Sequence, residues 1–163
     1  MATLRAHGIA ATLPDGFEGR IFVRPQGPGE SSYPVAQFAT FPLPAKVADF
    51  GGGAVTLMGP NDIFAVLFEY GPESVGKALF ARHGMQRSLT QRDFRPILLR
   101  RGLGGQSGTQ WFFTEAGRPF TFYSVLGSHA LSGMLVPRVN TLLAELAISP
   151  QPVLATPGAA PWN

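Results

Sequence analysis

Residues 108–127 carry the clearest alternation of apolar and polar positions in the chain. Trp111 and Phe113 alternate with polar neighbours in its first half. In its second half one face holds Phe120, Phe122, Ser124 and Leu126, and the other holds Thr121, Tyr123 and Val125. The intervening residues 115–119 include Gly117, which tolerates positive φ, and Pro119, which opens the second run. This pattern predicts a β-hairpin in the middle of a sheet.

Other runs predict the remaining strands. Residues 17–24 and 33–41 have strand-like patterns, and two prolines end the second run. Residues 63–68 (Ile-Phe-Ala-Val-Leu-Phe) are continuously apolar, which is typical of a central strand buried on both faces. Residues 54–58 predict a further short strand, and residues 1–16 read as a lead-in that ends in a turn at residues 13–16.

Two helices are predicted from the spacing of apolar residues. Residues 72–84 begin with a proline and end at a glycine, and their inward stripe is Val75, Leu79 and Phe80. Residues 135–147 have leucines and a valine at three- and four-residue spacing, with Pro137 in the first turn. Because this second helix directly follows the hairpin, we expect it to cover one face of the sheet.

These elements predict a single α+β domain over residues 1–147. Its sheet is mostly antiparallel with five to six strands, accompanied by a short mid-chain helix and a C-terminal helix on one face. A length of 163 residues suits one domain with a full core. Residues 148–163 form a Pro/Ala-rich tail that is either disordered or laid over a partner through Trp162.

The low content of charged residues indicates a binding surface. Only 14% of the residues are charged, against roughly 25% in typical globular proteins. A surface with so few charges either is covered by a partner or a second copy, or consists of neutral Gly, Pro and Ala. The N-terminus has no signal-peptide pattern and no run of residues predicts a membrane span, so we expect a cytoplasmic protein.

The positive charge is concentrated in residues 82–101. This segment has six arginines against one acid and a local net charge of +5, while the rest of the chain carries −2. Arginine forks suit carboxylate-rich protein surfaces, although a solvated face and nucleic-acid binding are alternatives. The predicted partner-binding residues are Arg82, Arg87, Arg92, Arg95, Arg100, Arg101 and Trp162.

Catalytic and cofactor motifs are not apparent in the sequence, so no catalytic, cofactor or metal residue is predicted. The chain has no cysteine, and its three histidines are far apart. A small-ligand or enzyme site is the alternative, with an anion bound near Arg100, Arg101, the glycine-rich loop 102–108 and His129. Glu69 follows the buried strand, and we expect it to pair with an arginine of residues 82–101.

The order of strands, the hairpin ending at residues 125–127 and the last helix over residues 135–146 resemble the Mog1/PsbP-like fold. Residues 68–71 (Phe-Glu-Tyr-Gly) and 113–119 (Phe-Thr-Glu-Ala-Gly-Arg-Pro) are also similar to small actinobacterial proteins of unknown function. The fold resemblance implies non-catalytic binding to a larger protein or assembly, and it assigns no individual residue. The resulting expectation is a non-enzymatic accessory subunit that docks through the low-charge surface and residues 82–101.

Overall fold

A computed structural model describes residues 2–23, 32–45, 53–96 and 104–151. Two antiparallel sheets form, one with five strands in the order β3-β4-β5-β7-β6 and one with three in the order β1-β2-β8. The strands are β1 (Thr3–Ala6), β2 (Ile9–Thr12), β3 (Glu18–Val23), β4 (Pro34–Ala39), β5 (Ile63–Glu69), β6 (Ser107–Glu115), β7 (Arg118–Leu126) and β8 (Leu146–Ile148). One α-helix, α1 (Ser132–Ala144), follows β7. The predicted α+β class is confirmed.

The predicted hairpin is confirmed as β6 and β7. Both residues of its two-residue turn have positive φ, 53° at Ala116 and 73° at Gly117, which matches the right-handed twist of the flanking strands. The predicted faces of β7 are also found, because Phe122 packs in the main core and Val125 in a second cluster. The hairpin is not central as a whole, however: β7 lies inside the sheet and β6 lies at its edge.

The central strand was predicted correctly from its continuous apolar run. β5 is the third of five strands, and its residues from Ile63 to Leu67 are fully buried. Alternate residues serve the two faces of the sheet: Leu67 packs in the main core, and Phe64 and Val66 pack on the other face. The runs predicted at residues 17–24 and 33–41 correspond to β3 and β4.

The N-terminal residues are not a lead-in, which corrects the prediction. They form the hairpin β1–β2, whose turn places His7 and Gly8 at φ values of 53° and 74°. β2 also pairs with β8, so the first and last described strands share a sheet. The prediction missed this hairpin because its strands have four residues each and bury mainly Ile9 and Ala11.

The mid-chain prediction was also wrong in its details. Residues 54–58 contain a 3₁₀ turn, Ala54–Leu57, in place of a strand. The expected helix over residues 72–84 consists of two 3₁₀ turns, Pro72–Ser74 and Ala78–Phe80. Gly76 between them has a φ of 90°, which a continuous helix excludes. Only Phe80 of the expected inward stripe is buried, whereas Val75 and Leu79 are exposed.

Helix α1 covers the main core, as expected, although its boundaries differ from the prediction. It begins at Ser132, so Pro137 lies inside it, and residues 146–148 form β8. Its buried stripe is Leu135, Val136, Val139, Leu142 and Leu143. The proposed division at residue 147 stays a prediction. Ile148 still belongs to β8 and the Ser149 N–H donates to the Gly8 carbonyl, while residues 152–163 lie outside the described ranges.

Candidate protein-binding surface

The described part of the predicted arginine segment, residues 82–96, borders the outer edge of β6. At one end, the Gly84 N–H donates to the Thr114 carbonyl and the Thr114 N–H donates to the Arg82 carbonyl, both at 2.8 Å. At the other end, Arg95 and Gly108 exchange two backbone hydrogen bonds of 2.8 and 3.0 Å. The segment is therefore fastened to both ends of the edge strand.

Between these two ends the segment is anchored in the core. Met85, Leu89 and Phe94 are all buried in the main cluster. Asn140 of α1 fixes the Leu89 backbone, because its side-chain amide accepts from the Leu89 N–H at 2.8 Å and donates to the Leu89 carbonyl at 3.0 Å. The arginines of this segment are consequently presented by a fixed backbone, and not by a free tail.

Arg87 has a structural role that the prediction did not assign to it. Its guanidinium donates to the carbonyl of Leu143 at 2.5 Å and to the carbonyl of Leu146. Carbonyls at the end of a helix lack partners within the helix, and a positive charge there is also favoured by the helix dipole. Arg87 also lies 3.5 Å from a carboxylate oxygen of Glu115. It closes the end of α1.

Arg82, Arg92 and Arg95 are exposed, as is Arg87, but these three lack the carbonyl and carboxylate contacts that Arg87 makes. The Arg82 guanidinium lies 4.9 Å above the ring of Trp111, a cation–π contact. Within the described ranges none of the three arginines forms a salt bridge with a carboxylate. Arg100, Arg101 and Trp162, the other predicted partner-binding residues, lie outside those ranges.

The middle of the β6 edge has unpaired backbone groups. Gly108 and Thr114 direct their N–H and C=O groups outward to residues 82–96. Because these directions alternate along a strand, Gln110 and Phe112 also direct theirs outward. No hydrogen bond to these two backbones is found in the part of the chain that the structure describes. The sequence gives no signal for this gap, since it depends on the path of a distant segment.

Aromatic side chains border this gap on both faces of the sheet. Trp111 lies on the main-core face, half-buried, and its indole Nε1 is buried without a partner among the described groups. Phe112 lies on the opposite face, with ring centroids 5.7 Å from Phe80 and 6.2 Å from Tyr70. Burial raises the pKa of the Tyr70 phenol. The edge is thus flanked by apolar rings and by arginines.

Glu69 pairs with an arginine, as expected, but not with one of residues 82–101. Its carboxylate accepts two hydrogen bonds from Arg118, at 2.7 and 2.9 Å, and the side chains are only 5% and 3% exposed. Arg118 also donates to the carbonyls of His7, Gly8 and Ser149. This pair joins the two sheets, because His7 and Gly8 form the β1–β2 turn and Ser149 follows β8.

The alternative ligand site retains two contacts between His129 and the glycine-rich loop. His129 Nδ1 lies 2.9 Å from the Ser107 hydroxyl, and the His129 N–H donates to the Gly105 carbonyl at 2.6 Å. Ser107 is fully buried, and no described carboxylate hydrogen-bonds to the His129 ring. The pair therefore lacks the accessible nucleophile and the third group of a hydrolytic triad. Arg100, Arg101 and residues 102 and 103 of the loop lie outside the described ranges.

Two depressions of about 250 and 240 Å³ are both lined by Phe17, and their lining includes none of the described arginines of residues 82–96. One is lined by Asp15 and Arg138, and the other by Glu18 and Thr40.

Among the described residues no group of three or more His, Asp or Glu side chains is placed to hold a metal ion. No helix within the described ranges is long and apolar enough to cross a membrane.

No protein-family model matches this chain, and neither the curated proteins nor the solved structures contain a significant match to it. The resemblance to the Mog1/PsbP-like fold therefore gains no support from solved structures. Any functional proposal for this chain rests on the geometry of its own residues.

Proposed function

We propose that this protein is a non-enzymatic interaction or accessory subunit that docks on a larger protein assembly through residues 82–96 and the adjoining β6 edge. The observation that carries the proposal is the fastening of this segment at both ends of β6 while Arg82, Arg92 and Arg95 remain exposed without carboxylate partners among the described residues. A fixed backbone lowers the conformational entropy lost on binding. Exposed arginine forks then favour a partner rich in carboxylates.

Affinity capture from native lysate tests this proposal if it compares variants of equal charge. The test variant is Arg82→Gln/Arg95→Gln, which removes two charges from the segment. The matched control is Arg5→Gln/Arg138→Gln, which removes one charge from β1 and one charge from α1. We expect wild type and control to retain the same partner and the test variant to lose it, and light scattering gives the mass of the complex.

Two results would contradict the proposal. The first is a particle of 17.4 kDa in lysate fractions and after purification, with equal capture profiles for the three proteins. The second is a captured species that disappears after nuclease treatment and whose binding falls steeply with salt, which identifies nucleic acid as the partner.

The contact between Ser107 and His129 favours the second candidate, a small-ligand site with anion binding near the glycine-rich loop. The test is a titration with inorganic phosphate that monitors the His129 ring by NMR. A saturable shift that is lost in Ser107→Ala supports the ligand site, and an unchanged ring signal dismisses it.

A further inference from the structure

The open stretch of the β6 edge defines how a partner docks, and this inference rests on the proposed function. Gln110 and Phe112 offer two outward N–H donors and two outward carbonyl acceptors, without backbone partners among the described residues. An exposed strand edge is a template for another strand. The gap is short because Arg95 closes one end of the edge and the residues around His83 close the other.

We propose that an extended, acidic segment of a partner protein adds a strand to this edge. Main-chain hydrogen bonds to Gln110 and Phe112 supply affinity in this mode, and side chains on alternate faces supply specificity. Because Gly108 and Thr114 are already paired, the open interval at residues 109–113 accepts a strand of about five residues, a common strand length. The occupant is therefore a short linear segment.

The positive charges of Arg82 and Arg95 around the gap favour an acidic partner segment. Arg82 lies over Trp111 on the main-core face, at the Thr114 end of the gap. Arg95 is directly opposite Gly108, so its side chain emerges on the other face at the opposite end. Acids directed to both faces of the incoming strand thus meet an arginine. Asp93 does not compete, because its carboxylate accepts from the Thr90 backbone N–H at 2.7 Å.

The rings of Trp111 and Phe112 predict which residues of the partner segment lie between its acidic residues. Phe112 is half-buried on one face and Trp111 on the other, and each ring offers area to a cross-strand neighbour. A β-branched residue opposite either ring buries part of that area. Because Trp111 and Phe112 are consecutive and lie on opposite faces, the expected segment has Val, Ile or Thr at two successive central positions and Glu or Asp towards both ends.

Amide hydrogen exchange of the whole protein with a defined peptide tests this docking mode. The probe is a fluorescein-labelled peptide of about five residues that has Glu towards both ends and Val and Thr at the central positions. We expect the amides of Gln110 and Phe112 to exchange fast in the free protein and to become protected, by at least about tenfold, when the peptide is saturating. The amides of Trp111 and Phe113 face β7 and are protected in both states.

A proline variant blocks the edge without removing charge. Among backbone groups Gln110→Pro removes only the outward N–H and leaves the hydrogen bonds to β7 in place, and proline is tolerated on edge strands. Gln110→Thr is the matched control, because it changes the side chain and keeps the N–H. We expect the peptide's Kd to rise at least about tenfold in Gln110→Pro and to change less than about twofold in Gln110→Thr. The same peptide N-methylated on alternate amides loses binding in the same way.

The outcomes separate this inference from the proposed function. Loss of binding in Arg82→Gln/Arg95→Gln, without protection of Gln110 and Phe112 and without an effect of N-methylation, overturns strand addition and leaves arginine-mediated docking intact. Absence of binding by every acidic peptide overturns the inference. A dimer by light scattering that Gln110→Pro abolishes also overturns it, because the occupant is then a second copy of the chain. If Gln110→Pro does not fold, the exchange experiment on the wild-type protein decides.

Discussion

Arg118 and the arginines of residues 82–96 carry the same side chain in opposite environments. Arg118 is 3% exposed, with a carboxylate and three backbone carbonyls around its guanidinium. Arg92 and Arg95 are exposed and form no salt bridge within the described ranges. Arg118 lies outside the charged segment and holds the two sheets together, whereas Arg82, Arg92 and Arg95 within that segment leave their charge available. Arg87 lies in the same cluster and contacts the carbonyls of Leu143 and Leu146, so clustering in the sequence does not by itself separate accessible arginines from structural ones.

Arg118→Met is expected to have the largest effect on stability. It leaves the Glu69 carboxylate buried without its partner, and removing one member of a buried ion pair costs about 3–5 kcal/mol. Urea unfolding measures the loss. The double variant Arg118→Met/Glu69→Leu is expected to recover a large part of it, since both charges are then absent. If Arg118→Met is as stable as the wild type, water reaches Glu69. Arg118 then does not differ in structural importance from the arginines of residues 82–96.

Arg87→Leu is expected to have an intermediate effect. The variant leaves the carbonyls of Leu143 and Leu146 without their cationic donor, which costs roughly 1–3 kcal/mol for hydrogen bonds to a charged group. Chemical denaturation measures this change in the free energy of unfolding. Arg92→Leu, which removes an exposed arginine from the same segment, is the matched control. Equal losses of unfolding free energy in Arg87→Leu and Arg92→Leu would show that the contacts of Arg87 with the two carbonyls do not stabilise the fold.

A pH titration gives a smaller, gradual effect on stability. Burial raises the pKa of Tyr70 and Tyr123 above the ordinary value of 10.0. The folded state thus holds these protons more tightly, so the free energy of unfolding is unaffected below the unfolded-state pKa and falls as the pH rises through the folded-state pKa. Urea unfolding between pH 8 and pH 11 follows the decline. In Tyr70→Phe/Tyr123→Phe the decline should be shallower, and an identical slope would exclude the tyrosines as its source.

Arg92→Gln and Arg95→Gln are expected to have the smallest effect on stability. Exposed substitutions away from packing features usually stay within about 0.5 kcal/mol. Thermal unfolding of the two variants should therefore overlap with that of the wild type, even if partner binding is lost. A clear drop in melting temperature in either variant would mean that its guanidinium has a structural partner, and would narrow the docking surface to the arginines that remain.

The strongest patterns in the sequence predicted the elements that bury the most surface. The run at residues 63–68 became the central strand, and the alternation around Gly117 became the β6–β7 hairpin, because each pattern reports burial directly. The β1–β2 hairpin escaped prediction since its strands are short and rich in alanine. The 3₁₀ turns around Gly76 escaped because an apolar spacing of four residues says nothing about a positive φ in between.

The candidate site was predictable in composition and not in geometry. The arginines of residues 82–96 could be selected from local charge, but the sequence did not distinguish Arg87 from Arg92, since only the position of α1 separates them. The partner of Glu69 was assigned to the wrong arginines because the register of β5 and β7 places Arg118 beside it. Gln110 and Phe112 were missed because open backbone groups have no sequence signature.

The pairing of β2 with β8 sets an order of events during synthesis. A chain is made from its N-terminus onward, so the β1–β2 hairpin emerges early, while its partner strand at residues 146–148 emerges only after the whole five-stranded sheet. Until then Ile9 and Ala11 have no α1 or β8 to pack against, and Arg118 lacks its carbonyl partner at Ser149. A nascent chain that stalls before residue 146 thus exposes an apolar patch to chaperones and proteases.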